Sequence, residues 1–72
     1  MFAVAKSVVE RYKGRFGAAF LRYFISDSGA HVVILTEASD DEQYTWETAD
    51  QARNCWAQLR KLLALRGYRK VA

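Results

Sequence analysis

The chain contains no proline, one methionine, four glycines and a single cysteine, Cys55, among 72 residues. Without a second cysteine no disulfide can form within the chain, and a reducing compartment, the cytoplasm, is the expected location. With no proline and so little glycine, no stretch reads as a linker, a repeat or a low-complexity segment. The longest run without a charge begins after Asp27 and ends at Thr36. That is far below the ~20 apolar residues a membrane-spanning helix needs, so no membrane partner is expected. Met1 to Lys6 is apolar but too short for the core of a signal peptide.

Charge of one sign is also missing, region by region. Residues 23–52 hold Asp27, Glu37, Asp40, Asp41, Glu42, Glu47 and Asp50 with no Lys or Arg. Residues 53–72 hold Arg53, Arg60, Lys61, Arg66, Arg69 and Lys70 with no acid. Residues 1–22 hold Lys6, Arg11, Lys13, Arg15 and Arg22 against Glu10 alone. Two basic ends bracket an acidic middle, an arrangement that bears on partners and electrostatic steering.

Catalytic chemistry has little to work with. Cys55 and His31 are the only nucleophile and base candidates, and no spacing supplies a third group to orient them. Glu37, Asp40, Asp41 and Glu42 lack the ligand spacing of a calcium loop and read as a solvated turn. No enzyme activity, metal, cofactor or small-molecule substrate is therefore expected.

What the chain does have is apolar periodicity. Thr48-Ala49-Asp50-Gln51 fits a capping box. Ala52, Cys55, Trp56, Leu59, Leu62 and Leu63 then recur at helical spacing, opposite Asp50, Asn54, Gln58 and Lys61. Gly67 suits the left-handed position after a helix end, with Tyr68 folding back on Leu63. These signals predict a helix over 49–66. Trp56, the largest residue on its apolar face, is the expected anchor of the core, at about 3–5 kcal/mol if truncated to Ala. Leu65, with Ala57 and Ala64, is expected on the outward side.

Ahead of the helix the period changes. His31 to Thr36 reads as a strand, and Asp27-Ser28-Gly29 as the hairpin loop joining it to a partner over Ala18 to Ser26. A turn at Lys13-Gly14 would add an earlier strand from about Ala3 to Tyr12, and Gln43 to Glu47 a short one before the helix. Phe16, Phe20 and Phe24 recur every fourth residue, as do Val4, Val8 and Tyr12, a spacing that residues 3–25 could satisfy as helix or strand. Strands are preferred because Val32 to Leu35 needs a partner. The expected fold is α+β: a small antiparallel meander of three or four strands, one face covered by a single C-terminal amphipathic helix, all of 1–72 forming one small domain.

One helix covers one face of such a sheet, and ten aromatics are many for so small a core. On a strand Phe16, Phe20 and Phe24 project one way with Arg22, and Tyr23 the other. Aromatic and basic residues interleaved on an open sheet can stack bases, as in single-strand binders. The first expectation is a non-catalytic nucleic-acid-binding module. Its candidate cations are Arg11, Lys13, Arg15, Arg22, Arg60, Lys61, Arg66, Arg69 and Lys70, which would form one continuous positive surface if the basic ends lie side by side. The alternative is a small protein-interaction subunit or inhibitor, of phage or mobile-element type, or a homodimer. It would dock through Phe16, Phe20, Tyr23 and Phe24 or the acidic loop. The acidic loop, Asp40 to Glu42, interleaved among those cations would favour this alternative.

Tyr44 to Trp56 resembles the strand-to-helix junction of small β-β-β-α DNA-binding modules, among them a plant transcription-factor domain and the arm-binding domain of phage integrases. Residues 49–68 are similar to the final helix of WGR domains. The Trp-Gly-Arg tripeptide of that family is absent, as are the basic, glycine-spaced strands of the plant domain. The likeness implies an architecture and carries no function by itself.

Overall fold

Strand propensity in the first two thirds and helical periodicity in the last third resolve into a sheet backed by one helix. The computed structural model describes residues 7–15, 17–38 and 40–71. In chain order the elements are β1 (Val8–Gly14), β2 (Gly17–Ile25), β3 (His31–Glu37), β4 (Asp40–Trp46), α1 (Ala49–Leu65) and β5 (Arg69–Lys70). The sheet order is β4-β3-β2-β1-β5, with every neighbouring pair antiparallel. The α+β meander and its covering helix are as expected. Residues 17–25 are strand, which resolves the helix-or-strand ambiguity there; residues 3–6 of the expected first strand lie outside the described residues.

Three local features differ from expectation. The first turn falls after Gly14 rather than at Lys13-Gly14, because Lys13 pairs with Ala18 and Gly14 with Gly17. The acidic stretch is no loop: Glu37 ends β3, Asp40 to Glu42 open β4, and Ala38 turns between them at φ 56°. Residues after the helix return to the sheet as β5, where Tyr12 pairs with Lys70 and Lys13 with Arg69.

Period-2 alternation divides the sheet into two faces. Tyr12, Ala19, Leu21, Val33 and Leu35 are buried with Ala52, Leu59 and Leu63 of α1, and Tyr23, Tyr44, Trp46, Cys55, Trp56, Leu62 and Tyr68 pack around them. Leu21, Leu35, Val33 and Leu63 are the largest fully buried side chains. The core centre is therefore Leu63 and Leu59 with Leu21, Val33 and Leu35. Trp56 is only partly buried, beside Val8, Glu10 and Tyr23 at the β1 side, which corrects its expected place as anchor. Val33 and Leu35 face the helix, and on β2 Leu21 and Tyr23 do so, the parity opposite to Phe20 and Phe24. Leu65 is 85% exposed, on the outward side.

The helix begins and ends on side-chain and backbone bonds visible in the sequence. Thr48 Oγ1 accepts from the Gln51 amide, and Gln51 Oε1 accepts from the Thr48 amide, completing the capping box at 3.2 Å each way. At the other end the Tyr68 amide donates to the Leu63 carbonyl and the Gly67 amide to that of Ala64, the two bonds of a Schellman motif. Gly67 takes φ 87°, which a side chain would oppose. This motif turns the chain back toward β1, and Tyr68 lies over Gly14.

Candidate functional site

The face opposite α1 carries the side chains that alternate with the core. From β1 these are Val9, Arg11 and Lys13; from β2, Ala18, Phe20, Arg22 and Phe24; from β3, Val32, Ile34 and Thr36. Register adds Arg69 beside Lys13, and Asp41, Gln43 and Thr45 on β4. Arg11 is the cross-strand partner of Phe20, and Arg22 of Val9. Arg11, Lys13, Arg22 and Arg69 are exposed and form no ion pair among the described residues. Among the described residues the one side-chain carboxylate on this face, Asp41, sits on β4, three strands from Arg11 in the row Arg11–Phe20–Thr36–Asp41. At about 4.8 Å per strand that is about 14 Å, beyond a Debye length at physiological salt.

Of the remaining candidate cations only Arg15 borders this face, so the expected single positive surface does not form. Arg60 Nε is 3.4 Å and Lys70 Nζ 3.3 Å from the carboxylate of Glu10, and Arg66 pairs with Glu37. These three point to the helix side, because their register and helical positions place them over Glu10, Tyr12 and Glu37. Glu10, on the same face as Tyr12, also accepts the Tyr12 hydroxyl at 2.5 Å. Burial first, and that bond second, raise the Tyr12 phenol above its ordinary value. The hydrogen bond to Tyr12, then the charge of Glu10, raise the Arg60 guanidinium. Arg53 pairs with Asp50 on the solvent side of α1. Lys61 is exposed on that outer face, and Arg15 is exposed in the β1–β2 turn, at the rim of the open sheet face.

The aromatic set divides as well. Phe20 is 36% exposed at the middle of the open face, and Phe24, beyond Arg22 on the same strand, is half-buried. Phe16 lies outside the described residues. Tyr23 is on the helix face and is no part of the open surface: its ring stacks on His31 with centroids 6.0 Å apart, and its hydroxyl is hydrogen-bonded to His31 Nδ1 at 2.7 Å. Its parity with Leu21 decides this. His31 is thus engaged structurally, and Cys55 is half-buried in a groove between β4 and α1, beside Tyr44 and Trp46. Among the described residues no three His, Cys, Asp or Glu side chains gather to hold a metal ion. No helix among them is long and apolar enough to cross a membrane.

Beside Phe20 the open face sinks into a depression of about 650 Å³. Arg11, Lys13, Arg15, Ala18, Phe20 and Val71 line it, and it exists because Ala18 and the flanking Gly14 and Gly17 fill so little space. Sequence reasoning missed Ala18 and Val71. The signal was there: Ala18 shares parity with Phe20, but Val71 needed β5, which two residues could not announce. Comparison of the chain with family models, curated proteins and solved structures finds no match.

Proposed function

We propose that the protein is a non-catalytic nucleic-acid-binding module that takes up phosphates on its open sheet face. The observation carrying this reading is the set Arg11, Lys13, Arg22 and Arg69, four cations without an ion pair among the described residues, around exposed Phe20 on the face opposite α1. Charges held on strands are positioned without the entropy cost of ordering a loop, and phosphate neutralisation releases counterions from the nucleic acid. Arg60, Arg66 and Lys70, paired with Glu10 and Glu37 on the helix side, add little to this surface. The test is a binding titration of the Arg11→Ala/Arg22→Ala variant against a labelled oligonucleotide. Affinity should fall at least tenfold with the melting temperature unchanged; unchanged affinity would reject the reading.

A second reading, a protein-interaction surface or homodimer, draws on exposed apolar side chains of the same face: Val9 at 49%, Val71 at 58%, and Phe20. Such an interface would depend weakly on salt, where phosphate contacts depend on it steeply.

A further inference from the structure

Resting on that reading, we infer that the ligand is single-stranded, with one base seated in the depression over Ala18 and stacked against Phe20. Along β2 the open face presents Phe20, Arg22 and Phe24, a ring, a cation and a ring at steps of about 6.8 Å. Beside this row β1 presents Arg11 opposite Phe20 and Lys13 opposite Ala18, so cations flank Phe20 both across the strands and, through Arg22, along its own. Bases and phosphates alternate along a single strand in the same way, and aromatic stacking tolerates any base. A duplex offers only phosphates and base edges, since its base faces are already stacked, so it could reach the cations but not the ring. The depression supplies the space: Ala18 lies one step along β2 from Phe20, so a base laid over it meets the Phe20 ring, with Arg11, Lys13 and Arg15 lining the same depression for the flanking phosphates.

Three probes separate this from simple phosphate binding: a labelled single strand, its duplex and inorganic polyphosphate, each titrated by anisotropy at one salt concentration. The single strand should bind at least tenfold more tightly than the duplex. Phe20→Leu should lower single-strand affinity about tenfold, within the range base stacking gives, and leave polyphosphate binding unchanged. Phe20→Tyr, which keeps a ring, should retain the preference. Ala18→Leu fills an open depression without touching the core and should erase the preference in the same way. Equal affinity for strand and duplex, or a neutral Phe20→Leu, with binding itself intact, overturns this inference and leaves the phosphate-binding reading standing. No binding to either nucleic acid overturns both.

Discussion

Arg60 on α1 and Glu10 on β1, fifty residues apart in the chain, lie 3.4 Å apart across the sheet–helix interface. Lys70 of β5 reaches the same carboxylate, and the Tyr12 hydroxyl completes its surroundings. The only acid in the first basic block therefore ties β1 to the helix and to the last strand. Glu10→Gln keeps the shape and removes the charge. It should lower stability by about 1 kcal/mol, since pairs to half-exposed cations give little individually while this largely covered carboxylate is shared by several donors. Urea unfolding at low and high salt checks it: the difference between wild type and variant should shrink at high salt.

The core centre is the next expectation. Leu63 is fully buried, so Leu63→Ala should cost about 2–5 kcal/mol. Trp56, partly exposed, should cost less when truncated than Leu63 despite its size. Thermal or denaturant unfolding of the two variants checks this order.

Gly14 leaves room for a ring. A Cβ there would fall 2.8 Å from Tyr68 Cδ1 and Cε1. The Schellman turn fixes the backbone of Tyr68, so its ring has little freedom to retreat. Gly14→Ala should destabilise by about 1–3 kcal/mol, as overpacking does. In a Tyr68→Ala background most of that increment should vanish, a coupling that a double-mutant cycle measures.

Alkaline stability follows from Tyr12. Its folded value is raised above the ordinary 10.0, first by burial and then by the bond to Glu10. The folded state thus holds its proton more tightly than the unfolded chain does. Its contribution is intact below about pH 10 and is lost as pH rises through the folded value. Tyr12→Phe should flatten the decline above pH 10. Tyr44 and Tyr68 are raised in the same direction, chiefly by burial, and leave a residual dependence. Unfolding free energies of wild type and variant across that range check it.

The helix was legible in full because its cap, its apolar stripe and its stop are local signals: Thr48, Gln51 and Gly67 act on neighbours within five residues. The meander was legible from Asp27-Ser28-Gly29 and the β-branched run after it. Which face of β2 the helix would cover was not, because both parities are apolar; only Arg22 between Phe20 and Phe24 marks the open side. The charge blocks were read as surfaces, yet a meander lays sequence order out sideways. The acids Asp40 to Glu42 fall at one sheet edge, and Arg69 and Lys70 at the other. The contacts of Glu10 and Glu37 with the C-terminal cations are non-local, and nothing near them in sequence announces them.

If the open face binds nucleic acid through Arg11, Lys13, Arg22 and Arg69, the salt dependence of affinity is the most direct test. With Arg11, Lys13, Arg22 and Arg69 each neutralising one phosphate, log K should fall against log salt with a slope of about −3 for a single strand. Replacing Arg11 and Arg22 by alanine should bring that slope to about −1.5. No binding at low salt, or an affinity unaffected by salt, would contradict the account.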